Sequence, residues 1–283
     1  MDTSDRSPTA LPAPTRAEAD ALARLYDLDL VEDPGDLDLY LALAARTGGP
    51  ILELAVGTGR LAVPLAEQGH RVTGVDLDPA MLARARARAA AATAAGAGRA
   101  SGAPDGALGD LRFEVGDARS VRLPDAGRYR LAFLALNSLF IMGGREDQQA
   151  VVATLAAHLA PGGLAVVDVW LPDADDLARY DGRVMLEYPR RDPTTGRHVV
   201  KIGSAIHDAA TSTVQLTTIY EEGEPGEAAV RWIRRDAMRL VGADELRAFA
   251  ASAGLVVESV AGGYDMEPFG PGADRAILIA VRP

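Results

Sequence analysis

Ile51-Leu-Glu-Leu-Ala-Val-Gly57-Thr-Gly59-Arg60, followed by Val72-Thr-Gly-Val-Asp76, decides the fold of this chain. A short apolar run ends in a Gly-x-Gly turn, an amphipathic stretch follows over 61–68, and a second apolar run ends in an acid. Continuous apolar runs of this length are strands buried on both faces, and a helix between two of them makes a parallel β-α-β unit. Glycines after the first strand let the backbone approach a ligand closely, and an acid closing the second suits a pair of ribose hydroxyls. The unit predicts an adenosine-containing cofactor.

The pattern repeats downstream. A third strand over 111–115 runs into Gly116-Asp117-Ala118, and a fourth over 130–136 ends in Asn137-Ser138. A helix over 146–159 stops at Ala160-Pro-Gly-Gly163, and a fifth strand covers 164–169. Asp78-Pro79 opens another helix, with Asp78 as N-cap and Pro79 at the first helical position. Its Arg84-Ala-Arg-Ala-Arg88 face reads as solvated, and the Ala/Gly segment 89–109 as a helix end followed by a flexible loop. Upstream, helical spacing begins near Thr15 with Ala17, Leu22, Leu25 and Tyr26, and a second helix over 36–45 stops at Gly48-Gly49-Pro50. Residues 1–14 are rich in Pro, Ser, Thr and Ala and are expected to be disordered.

After Trp170 the period changes from helical to two. Four β-like runs, over 183–189, 198–208, 213–222 and 228–240, are separated by turn-rich clusters such as Asp192-Pro-Thr-Thr-Gly196. Val214, Leu216, Thr218 and Tyr220 share one face, with Gln215, Thr217 and Glu221 on the other. A helix over 243–253, a strand over 255–261, a long Gly/Pro loop and a strand over 276–281 complete the chain. The expected organisation is an α/β domain over 15–182 and 241–283, with 183–240 inserted as an antiparallel sheet serving as lid, dimer interface or both.

Composition narrows the function. A net charge of −11 disfavours a surface that tracks nucleic-acid phosphates. Cysteine is absent, which removes disulfides, thiolate nucleophiles and thiolate metal sites, and fits a reducing cytoplasm. His70, His158, His198 and His207 are scattered, so no metal is expected. Without a long apolar run or a basic-then-apolar start, neither a membrane span nor a leader is expected. Apolar residues make up 48% but aromatics only 5%, so aliphatic side chains must pack the core.

The glycines alone leave the cofactor open between a nicotinamide dinucleotide and another adenosine compound, because Ala62 serves as a third small residue and the spacing to Asp76 fits. Glu53 tips the balance. A carboxylate inside a buried parallel strand needs partners, which places a hydrogen-bonding task beside the loop. A nicotinamide oxidoreductase is further disfavoured because Lys201, the only lysine, has no tyrosine four residues before it.

Glu53-x-x-x-Gly57-x-Gly59, Asp76, Gly116-Asp117-Ala118 and Leu159-Ala-Pro-Gly-Gly163 together resemble the motifs of the class I S-adenosylmethionine (SAM)-dependent methyltransferases, in order and spacing, over about residues 26–283. The resemblance implies a Rossmann-like seven-stranded mixed sheet of order 3-2-1-4-5-7-6, with the last strand antiparallel. It implies SAM as cofactor and S-adenosylhomocysteine (SAH) as product. Gly57 and Gly59 would pass under the methionine moiety, with Ala55 and Arg60 in the same loop. Asp76 would accept from the ribose hydroxyls, Leu77 and Met81 would flank the adenine, and Asp117 and the Ala118 amide would read its edge. The Leu136 carbonyl would face the methionine amino group.

No Asn/Asp-Pro-Pro-Tyr follows the fourth strand, where Leu136-Asn-Ser-Leu-Phe-Ile141 stands instead, and this favours a small-molecule acceptor. The inserted meander resembles that of glycine and amino-sugar N-methyltransferases, in which an N-terminal tyrosine folds over the cofactor. Tyr26 matches that element and Tyr40 is a second candidate. Related sequences carry a histidine soon after Asn-Ser, and this chain has Ile141 and Met142. Asn137, Asp168 and Trp170, at the ends of the fourth and fifth strands, complete the candidate acceptor residues with Tyr26. Arg234, Arg235 and Arg275 are candidates for an anionic substrate, against the ordinary fate of surface arginines in ion pairs. The expected activity is methyl transfer to nitrogen or oxygen of a small molecule by a homodimer. The alternatives are a SAM-binding relative that guides a cyclisation or rearrangement, and the disfavoured oxidoreductase.

Overall fold

In a computed structural model, residues 15–97 and 109–283 are described. The expected tail over 1–14 and most of the expected loop before residue 109 lie outside them. Two helices, α1 (Arg16–Asp29) and α2 (Leu37–Thr47), precede the α/β series. Thr15 and Glu18 close a capping box at the start of α1, and Gly48, in the left-handed region, ends α2. Then come β1 (Ile51–Leu54), α3 (Ala62–Glu67), β2 (Val72–Asp76), α4 (Pro79–Ala97), β3 (Leu111–Val115), β4 (Tyr129–Leu134), a 3-10 turn (Ser138–Ile141), α5 (Arg145–His158) and β5 (Leu159–Trp170). A short α6 (Ala174–Ala178) leads to β6 (Asp181–Arg191), β7 (His198–Asp208), β8 (Thr213–Gly223) and β9 (Val230–Arg239). The chain returns through α7 (Ala243–Ser252), β10 (Val256–Ala261) and β11 (Arg275–Val281).

Seven strands form one sheet in the order β10-β11-β5-β4-β1-β2-β3, with β11 antiparallel to both neighbours and the other pairings parallel. This is the 3-2-1-4-5-7-6 order, since β10 and β11 are its sixth and seventh strands. Apolar cores lie on both faces, one around Val152, Leu155 and Leu246, the other around Leu43, Leu65 and Leu82. Each such fully buried side chain contributes about 1.5–3 kcal/mol, and together they hold the strand ends that carry the site.

The second sheet, β6-β7-β8-β9, is antiparallel throughout. Val214, Thr218 and Tyr220 of β8 are buried while Gln215 is exposed, so the period-two reading holds there. Helix α1 lies against this sheet through Leu25, Leu28, Val199 and Tyr220. Polar contacts fasten the same face. Arg24 bonds Asp192 and Glu222, Tyr188 and Tyr220 both donate to Asp29, and Lys201 lies 3.0 Å from Asp29 and 2.9 Å from Glu187.

Most boundaries shift by a residue or two from expectation, and two at the middle of the sheet bear on the site. Strand β4 stops at Leu134 because Leu136 and Asn137 have φ of +48° and +63°, a left-handed corner that no strand continues through. Strand β5 begins five residues early, pairing Leu159 with Tyr129 before its register shifts across Pro-Gly-Gly. Helix α6 is too short for its period to show in the sequence.

Candidate functional site

The glycine loop turns sharply after β1. Ala55 and Gly57 both have positive φ, and Gly59 does too, at a place where a Cβ would press to 3.2 Å from that of Ala85. Glycine at 59 therefore lets the loop lie against α4. The loop is tied to the next strand: the Gly57 amide donates to Asp76 Oδ2 at 2.8 Å, and the Asp78 amide to Asp76 Oδ1 at 2.9 Å. Burial raises the Asp76 pKa, and these amide bonds oppose the rise. A carboxylate has about four acceptor positions, so one per oxygen stays open toward a diol.

Three cavities meet around this loop. One of about 300 Å³ is lined by Ala55, Asp76, Leu77, Asp117, Ala118 and Met142. It has the composition of an adenine slot, an apolar wall with an acid at its edge. Asp117 already takes three side-chain hydrogen bonds from Arg119, which hold its pKa down, so an exocyclic amine there meets a carboxylate shared with a guanidinium. A second cavity of about 30 Å³ lies between Glu53, Gly57, Thr58, Arg60 and Leu136. The third, of about 320 Å³, opens between α1 and the loop and is lined by Tyr26, Gly57, Asp76, Met81, Ser138 and Arg234, among others.

The polar groups at the small cavity fit an amino-acid end. Glu53 is buried, its Oε2 has no hydrogen-bond partner, and burial pushes its pKa well up. Thr58 Oγ1 is likewise buried and unpartnered. Buried polar atoms cost free energy until paired, and a ligand's ammonium group would supply what Glu53 lacks. Arg60 is held by Asp36 through both terminal nitrogens, at 2.5 and 2.7 Å. Tyr26 reaches over the loop from α1, its ring 4.0 Å from where a Gly57 Cβ would stand, and burial raises its phenol pKa.

Several expected residues stand elsewhere. Tyr40 is a core side chain, 0% exposed and 4.4 Å from the Phe133 ring, and it lines none of these cavities. Helix α2 turns its apolar face onto β4, which packs the Tyr40 ring in the core and leaves its hydroxyl buried without a partner among the described residues. Asp168 is also 0% exposed. Its oxygens accept from the Leu136 amide (3.1 Å), the Tyr264 hydroxyl (2.9 Å) and Arg275 Nε (2.8 Å). Asn137 Oδ1 accepts from the Trp170 amide and Arg275 Nη2. These two side chains brace the left-handed corner after β4 and line none of the three cavities. Trp170 borders a different space, beside Tyr180, Arg183 and Leu186 of the second sheet and the turn before it.

Two cavity residues escape a reading by motif. Ser138, just past the corner, lines both the small and the open cavity. Arg234 arrives from β9, about a hundred residues downstream, and only the period-two pattern of that strand signals which way it faces. Ile141, in the region where related sequences carry a histidine, lines the first cavity and the open cavity.

A family model described as a methyltransferase domain matches residues 51–163. The chain is 26% identical over 253 residues to the dTDP-3-amino-3,4,6-trideoxy-alpha-D-glucopyranose N,N-dimethyltransferase of Streptomyces venezuelae, covering 85% of this chain and 92% of that one. It is 25% identical over 240 residues to a cypemycin N-terminal methyltransferase of Streptomyces sp, covering 83% and 84% of the two. Among solved structures, the CcbJ methyltransferase of Streptomyces caelestis superposes with a TM-score of 0.69 at 24% identity, over 89% of this chain and 97% of that one. With the sheet order and the carboxylate-and-glycine loop agreeing, the chain carries a methyltransferase domain over residues 51–163 in the class I methyltransferase fold, and it is a SAM-dependent enzyme.

Proposed function

We propose that the chain methylates an amine nitrogen of a small molecule, by positioning and without a protein base. One observation carries the reading: among the described residues lining the open cavity there is no histidine or lysine, and the two carboxylates already have tasks at the glycine loop and the α4 cap. Tyr26 is a phenol whose pKa burial raises, Asp76 is bonded to two loop amides, and Asp78 caps Ala80. Ile141 adds only an apolar wall. A hydroxyl acceptor usually needs a base, whereas an amine need only arrive unprotonated. Bound SAM supplies an electrophilic methyl on a good leaving group, and the residues around it need to hold the nitrogen in line at near-attack distance.

In this proposal Asp76 accepts from the ribose hydroxyls, and Glu53 with the Leu136 carbonyl meets the amino group. Leu77, Met81, Asp117 and Ala118 frame the adenine, and Tyr26 covers the sulfonium. The relatives named for an amino sugar and a peptide N-terminus support nitrogen as the acceptor atom, and the comparisons lend nothing to cyclisation or hydride transfer. Sheet β6–β9, with α1 fastened to it, acts as a lid. Val184, Leu186 and Ile206 leave an exposed apolar strip on one face of that sheet for a homodimer contact, which light scattering of a Leu186→Glu variant tests. No helix among the described residues is long and apolar enough to cross a membrane, and a cytoplasmic location completes the proposal.

The test is a panel of amines and matching alcohols followed by product mass. Amines gain methyl mass with SAH released, and kcat/KM rises with pH to a plateau set by the amine's own pKa. The same profile in Tyr26→Phe supports the base-free reading. Turnover of alcohols alone, or a pH break that vanishes in Tyr26→Phe, overturns it, and turnover without methyl gain or SAH favours rearrangement.

A further inference from the structure

Strand β9 alternates: Trp232, Arg234, Asp236 and Met238 are partly buried, while Ile233, Arg235 and Ala237 are exposed. Arg234 thus points into the molecule, where it is the sole cationic side chain lining the open cavity among the described residues. A guanidinium taken out of water needs compensation, and Asp236 supplies part of it, with its oxygens 2.8 and 3.0 Å from Nε. The two terminal nitrogens make no hydrogen bond with any described residue. Arg60 and Arg275 differ in this respect. Arg60 gives both terminal nitrogens to Asp36, and Arg275 gives Nε and Nη2 to Asp168 and Asn137. Arg234 alone of the three is pinned on one edge and open on the other, over the space bounded by Tyr26, Ser138 and the glycine loop.

From this geometry we infer that Arg234 is an oxyanion receptor: the acceptor carries a carboxylate or a phosphate in addition to the nitrogen that is methylated. The inference rests on the methyl-transfer reading above. A planar fork with two parallel N–H donors matches both groups in bidentate fashion, and a partly desolvated site strengthens such charge-assisted bonds. The wider field does not attract anions, since the chain carries −11 and Asp76 and Asp78 line the same cavity. Recognition therefore comes from the local fork. Asp236 fixes its plane through Nε and offsets part of its charge, so the receptor reads shape as well as sign.

The test uses the full chain saturated with SAH, into which pyrophosphate, inorganic phosphate and malonate are titrated separately by calorimetry. Wild type is expected to bind at least one anion, and Arg234→Met to bind it about tenfold or more weakly. Arg234→Lys, which keeps charge and loses the fork, should fall between, and Arg235→Met, on the exposed face, should stay within about twofold. Preference for pyrophosphate or phosphate assigns a phosphate-bearing acceptor, and preference for malonate a carboxylate. SAH affinity and melting temperature are measured for each variant, so loss of the cofactor site or of the fold is seen separately. Equal anion binding in wild type and Arg234→Met, or no binding of any of the three anions by wild type, overturns the inference and leaves Arg234 a strut for α1.

Discussion

Asp76 and Asp168 are two carboxylates at the carboxyl ends of parallel strands in one sheet, and they do opposite things. Each accepts backbone amide hydrogens, and burial raises the pKa of each. Asp76 stops there, with acceptor positions facing two cavities. Asp168 is sealed by Arg275 and Tyr264, both from the segment that closes the chain. A strand-end acid becomes a ligand contact only when nothing else in the fold claims its remaining lone pairs. At Asp76 the neighbouring glycines leave room, and at Asp168 a late loop fills it.

The comparison breaks first under truncation of Asp168. Asp168→Ala leaves Arg275 buried without its partner and should cost about 3–5 kcal/mol of stability, read as a lower urea midpoint. Arg275→Met with Asp168→Asn should recover part of the loss. If Asp168→Ala melts like wild type but loses activity, Asp168 is a site residue after all. Asp76→Ala should show the reverse signature. SAH binding weakens by about 2–3 kcal/mol, as charged hydrogen bonds to the ribose are removed, while the melting temperature of the ligand-free protein changes less than in Asp168→Ala.

Glu53 supplies the smallest and most diagnostic effect. Its folded pKa is raised, so its protonated form is favoured by folding. The stability it contributes is full below its unfolded pKa and is lost as pH rises through the folded one. Glu53→Gln should therefore stabilise the ligand-free protein near neutral pH by about 1 kcal/mol and flatten that part of its pH dependence, while weakening SAH. Melting curves from pH 5 to 8, with and without SAH, check both signs. Identical slopes for wild type and variant would place the Glu53 charge in solvent contact.

Much of the site is legible in the amino-acid sequence because it is local there. Glu53, Gly57, Gly59 and Asp76 fall within one β-α-β unit, where strand period and turn chemistry fix their relative positions. Asp117 and Ala118 follow from the next strand in the same way. The candidates that the fold sets apart from the three cavities are of another kind. Tyr40, Asn137, Asp168 and Trp170 have site-like chemistry at site-like positions, but their surroundings come from Phe133, Tyr264, Arg275 and the second sheet. No spacing rule connects those segments.

By itself the sequence determined the strand and helix series, the glycine loop and the acids around it, because periodicity and turn residues act over a few positions, while the sheet order followed from the family resemblance. Only the tertiary structure decided which polar side chains stay open. That depends on which distant segment arrives beside them: β11 and its loop close over Asp168, and β9 brings Arg234 to the cavity mouth. A lone pair is spent or free according to its neighbours in space, and those are set by packing across the whole chain.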